Sequence, residues 1–142
     1  MKVARLIARL LFGACWLFFG LNGFLHFWMP EPKTPPPEAA TALANGFAAS
    51  GYMWQFIAGT EVFAGALLLS GLFVPLALTV IAPIVVNILA FHLYANPVGL
   101  EVALVVVAFE LFLAFTYRKA FAGVLSPRYA DGSDAPKAAK PG

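Results

Sequence analysis

The sequence predicts an all-α integral membrane protein, a bundle of four membrane-crossing helices with both termini in the cytoplasm. Three observations predict it. Of the 142 residues, 61% are hydrophobic and only 11% are charged, against about 25% charged in an ordinary soluble domain. The apolar residues gather in four runs, each near the ~20 residues that a helix needs to cross a bilayer. Eight of the nine Lys and Arg residues flank these runs on one side, which the positive-inside rule makes cytoplasmic. Termini that share a side require an even number of crossings, and four satisfies this.

The first span is predicted at residues 6–28, preceded or opened by Lys2, Arg5 and Arg9. Cys15 lies inside it. A single thiol makes no internal disulfide, and there is no C-x-x-C pair for thiol exchange. Leu11 to Cys15 faintly resembles a lipoprotein cleavage site, but the apolar run continues to Trp28, and no small-x-small site follows that run before the proline cluster. An uncleaved span is therefore expected.

The outer loop holds Lys33 against Glu31 and Glu38 and carries Pro30, Pro32 and Pro35 to Pro37, a stiff extended stretch. A short helix is expected from Glu38 to Ser50, with Leu43 and Phe47 four apart on one face. It would lie on the outer membrane surface or cap the bundle.

The second span is predicted at 52–73, the third at 75–94 and the fourth at 98–117. Pro75 starts a helix well and tolerates no helix interior, so Val74-Pro75 is a tight joint. Asn96-Pro97 is the other. The membrane domain occupies 1–118. Residues 119–142, with Arg128, Lys137 and Lys140 among Ala, Pro, Asp and Gly, form a basic, mostly disordered cytoplasmic tail. A net charge of +2 gives no reason to expect nucleic acid.

Function is sought where polarity is hardest to explain. Glu61 interrupts an otherwise uncharged run at mid-span, where a carboxylate costs about 3 kcal/mol or more unless protonated, paired or wet. At about 1.5 Å per residue it lies about 13 Å below the outer end of its span. Asn22 and His26 are a turn apart near the outer end of span one, Asn87 and His92 near that of span three, and Glu101 opens span four. All six fall in the outer half of the bilayer, and the bundle interior is their natural meeting place.

Helical angles restrict the set. Asn87 and His92, five apart, diverge by about 140°, so one of them is expected to face the axis. Glu101 and Glu110 diverge by about 180°, so Glu110 faces elsewhere, for example another subunit, if Glu101 faces the cavity mouth. Each residue also has a structural reading. Asn22 and Asn87 bridge helices, His26 and His92 join the interfacial aromatic belt, and Glu101 suits the helix dipole. Glu61 has the weakest such reading. Pro83 predicts a kink that opens ligand space, or is simply a common membrane-helix proline. Gly13, Gly20, Gly59 and Gly65 suit close helix approach.

A carboxyl, imidazoles and amides in an apolar pocket suit a quinone headgroup, with walls from Phe18, Phe19, Trp54, Phe63 and Phe91. A Glu or His would carry the protons of quinone reduction. Metal binding lacks H-x-x-x-H or E-x-x-H spacing. No cofactor of the chain's own is expected, since there is no C-x-x-C-H and no dinucleotide glycine motif. Proton or small-solute passage along the polar residues is a third use.

Gly59 to Phe73, with Phe19-Gly20-Leu21-Asn22-Gly23 and a third span ending at His92, resembles the DoxX-like family of small four-helix membrane proteins. The resemblance runs from about Leu6 to Tyr117 and includes Glu61 and Asn22, but not clearly His26 or Glu101. It implies a bacterial inner-membrane location and a quinone-linked redox role. The chain lacks the cysteine pairs of thiol-oxidising relatives and a large outer domain for thiosulfate. The expectation is a non-autonomous oxidoreductase subunit that binds membrane lipid, a quinone and a protein partner or further copies of itself. The alternative is a membrane scaffold or assembly factor without a ligand.

Overall fold

The computed structural model describes residues 2–122. The described residues are all-helical: α1 (Lys2–Leu25), α2 (Glu38–Ser50), α3 (Met53–Ser70), α4 (Val74–Tyr94), α5 (Leu100–Thr116) and a 3-10 turn, Arg118–Phe121. The predicted tail begins within that turn, and its part from residue 123 onward lies outside the described residues. Helices α1, α3 and α4 are long and apolar enough to cross a membrane. Helix α5 has 17 residues and is about 26 Å long at 1.5 Å per residue.

Local chemistry sets the helix ends. Helix α1 stops at Leu25, short of the predicted Trp28, because His26 adopts a left-handed φ of 51°. Gly51 and Gly71 end α2 and α3, both at φ 75°, a conformation that glycine adopts without steric cost. Pro75 stands at the start of α4, where its missing N–H is not needed. Helix α2 has the bounds expected for it.

Side chains from four helices meet in one apolar core. Phe12 and Trp16 of α1, Leu68 of α3, Leu78 and Ile81 of α4 and Leu113 of α5 are its larger members. Helices α1 and α3 approach most closely. A Cβ on Gly65 would stand 2.6 Å from the Leu17 nitrogen, and one on Gly20 would stand 2.6 Å from the Val62 nitrogen. The neighbour of Gly59 is 3.9 Å away, so this glycine, unlike Gly13, Gly20 and Gly65, is not required by packing. Close backbone approach gains dispersion contacts that need no water to drive them.

The outward faces are apolar, with Val86 66% and Leu111 64% exposed. Hydroxyls on these helices return their hydrogen to their own backbone: Thr60 to the Phe56 carbonyl at 2.8 Å and Thr79 to that of Pro75 at 2.9 Å. They therefore carry no unmet donor into an apolar surrounding.

One end of the fold is basic. The Arg5 guanidinium lies over the Tyr117 ring, 5.1 Å from its centroid, and that of Arg118 lies over Phe115 at 4.3 Å. Arg9 packs against Gly71 at the C-terminal end of α3, where a cation suits the helix dipole. The start of α1 thus meets the ends of α3 and α5. The opposite end carries α2, His92 and Glu101.

Candidate functional site

A cleft of about 510 Å³ lies between α2, α3 and α4. Helix α3 contributes Glu61 to it, and α4 contributes Asn87 and His92. The rest of its wall is apolar: Leu43 and Phe47 from α2, Trp54, Phe56 and Ile57 from α3, and Pro83, Ile84, Ile88 and Phe91 from α4. Glu61 and His92 are half-buried, and Asn87 is exposed.

The α4 contribution explains why both Asn87 and His92 border the cleft, although only one was expected to face inward. Ile84 and Phe91 lie on the helix between the two, about 60° and 40° from Asn87 and about 80° and 100° from His92 at 100° per residue. The cleft spans nearly half the circumference of α4. Its floor there is apolar, and the two polar residues stand on opposite margins.

The His92 ring is fixed from two sides. Its Nδ1 is 3.0 Å from the Asn96 carbonyl oxygen. Gly99 stands alongside, where a Cβ would come within 3.0 Å of the imidazole Cε1. The ring also meets Phe91 edge-on at 5.1 Å. Phe47 and Trp54 make a second edge-to-face pair at 5.3 Å, which ties α2 to α3 across the cleft wall.

Asn22, His26 and Glu101 stand outside this cleft. The Asn22 amide is engaged with the Trp28 backbone, donating to its oxygen at 2.9 Å and accepting from its N–H at 2.7 Å. His26 is exposed, and its N–H donates to the Asn22 carbonyl at 2.9 Å. Glu101 is exposed in the first turn of α5, where its charge favours the helix N-terminus. Of the expected aromatic walls, only Trp54 and Phe91 line the cleft. Phe18 and Phe19 cluster with Trp28 at 6.0 and 5.9 Å, and Phe63 faces outward.

Among the described residues Glu110, only 8% exposed, is the acid buried most deeply, rather than Glu61. It shares a helix face with buried Ala103 and Leu113, and its Oε2 has no hydrogen-bond partner. Trp16 Nε1 is likewise buried and unpartnered. An acid near the middle of an apolar helix was the available signal. Its orientation depends on how α5 is rotated in the bundle, which packing of Ala103 and Leu113 sets rather than any local feature.

Chemically, the cleft offers one carboxyl, one amide and one imidazole within apolar and aromatic walls. That combination suits an amphiphile with a flat, oxygen-bearing head and an apolar tail. Among the described residues no group of three His, Cys, Asp or Glu side chains gathers to hold a metal ion. Comparison with known proteins matched no family model, no curated protein and no solved structure.

Proposed function

We propose that this chain is a multi-pass membrane protein that binds a quinone in the α2–α3–α4 cleft and serves as a non-autonomous subunit of a quinone-linked redox system. The cleft itself carries the reading. Glu61, Asn87 and His92 border a space walled by Phe47, Trp54, Phe56 and Phe91. Aromatic walls take the ring, and the polar margins take the head oxygens. Its redox partner is a separate protein, since this sequence has no cofactor-attachment motif of its own. The resemblance to DoxX-like proteins points the same way.

Four crossings follow in this proposal, with α5 as the fourth. Arg5, Arg9 and Arg118 gather at one end, which makes that end, with both termini, cytoplasmic under the positive-inside rule. The cleft then opens toward the outer leaflet of a bacterial inner membrane, beneath α2.

A scaffold or assembly role is the second reading. Asn22 favours it, because that residue is spent on a local backbone lock rather than on a ligand. Lipid extracts of the purified protein, analysed by mass spectrometry for quinones beside a Glu61→Gln variant, separate the two. Stoichiometric quinone in the wild type and its loss in the variant support the cleft. Quinone in neither, with both folded, favours the scaffold.

A further inference from the structure

Building on the proposed quinone site, we infer that the cleft selects the reduced, hydroxyl-bearing form, a quinol, over the oxidised quinone. The determinant is His92, whose hydrogen-bonding sense is set by its neighbours. A carbonyl oxygen only accepts, so the contact of 3.0 Å with the Asn96 oxygen requires Nδ1 to carry the proton. In the neutral ring, Nε2 is then an acceptor.

The ring has little freedom to exchange roles. Turning it over would abandon the Asn96 bond, and a Cβ at the Gly99 position would already stand 3.0 Å from Cε1. The Asn96 carbonyl is itself held in place. Its residue donates its N–H to the Phe91 oxygen at 2.9 Å, and its side chain accepts from the Val98 N–H at 3.2 Å.

The other two polar residues lack such a constraint. An amide offers both a donor and an acceptor by rotation, and a carboxyl donates or accepts according to its protonation. Asn87 and Glu61 therefore accommodate either redox form. A quinone carbonyl facing Nε2 sets two acceptors against each other, whereas a quinol hydroxyl donates to Nε2. Setting acceptor against acceptor in a poorly hydrated cleft leaves both unsatisfied.

The test is equilibrium binding to the full chain in zwitterionic nanodiscs, with empty discs to subtract partition. Measurements are made without oxygen near pH 8. Three probes share one shape: a decyl-substituted benzoquinone, its hydroquinone, and the dimethyl ether of that hydroquinone, which has no donor. The hydroquinone is expected to bind about tenfold tighter than either other probe, which is about 1.4 kcal/mol.

In a His92→Leu variant, checked for folding by circular dichroism, this preference is expected to vanish. Equal binding of quinone and hydroquinone, or tighter binding of quinone, overturns the inference and leaves the cleft as a quinone site. A preference that survives in the variant also overturns it, by assigning selection elsewhere. Binding of none of the probes removes the proposed quinone site and this inference with it. Should the variant fail to fold, the comparison of hydroquinone with its ether on the wild type still decides the polarity.

Discussion

Asn22 grips Trp28 with both ends of its amide, donating to the Trp28 oxygen at 2.9 Å and accepting from its N–H at 2.7 Å. The two residues are six apart. The loop thus formed turns the chain through the left-handed His26 and away from the axis of α1. An amide at the end of an apolar helix thereby satisfies backbone groups that lie beyond the helix ladder.

Replacement of Asn22 by Leu is therefore expected to destabilise the fold by about 1–3 kcal/mol, with two hydrogen bonds lost. Quinone content of the folded fraction should remain that of the wild type. Thermal unfolding in detergent and lipid mass spectrometry measure the two quantities. Loss of quinone at unchanged stability would return Asn22 to the ligand site.

Gly65 and Gly59 lie on one helix and make opposite predictions. A methyl on Gly65 meets α1 backbone at 2.6 Å, and overpacking of this kind costs about 1–3 kcal/mol. Gly59→Ala enters open space beside Phe24 and removes a helix-interior glycine, so it should be neutral or stabilising by about 0.5–1 kcal/mol. Thermal midpoints of the two variants, compared in one detergent, check the contrast.

Glu110 is expected to behave as a structural liability. Its Oε2 is buried without a partner, and replacing an unsatisfied buried polar group by an apolar one of similar size is neutral or stabilising. Glu110→Leu should therefore hold or raise the unfolding midpoint and leave quinone binding intact. A large loss of stability would reveal a partner for this carboxyl.

The edge-to-face pair of Phe47 and Trp54 holds α2 over the cleft, and such pairs contribute about 0.5–1.5 kcal/mol beyond their area. Phe47→Ala should loosen α2 while α3 and α4 remain protected. Hydrogen exchange localised to 38–50 would report it, and bound quinone should dissociate faster.

The proposed orientation is tested by thiol labelling in a Cys15→Ala background. A membrane-impermeant maleimide applied to intact spheroplasts should label Lys33→Cys and spare Lys119→Cys. Labelling of both, or the reverse pattern, overturns the topology.

Much of this fold is local and was therefore legible in the residues. Apolar run lengths and prolines at helix starts act within a few positions of themselves, so the helical class and the bounds of α2 could be read directly. Glu61, Asn87 and His92 were also legible, as polar residues that an apolar helix has no local reason to hold. What the chain could not reveal was which polar residues are satisfied close by. Asn22 finds Trp28 through a left-handed turn at His26, a conformation that no composition or period announces.

Tertiary structure decided the rest. The sequence by itself determined helices, their apolar character and a short list of polar positions, because these depend on propensity and solvent preference along the chain. Helix register and rotation decided that Asn87 and His92 share one cleft, that α2 covers it, and that Glu110 is buried more deeply than Glu61. Those choices arise from side chains interlocking between distant segments, as where Gly65 admits the backbone of Leu17, and such fits exist only once the helices have met.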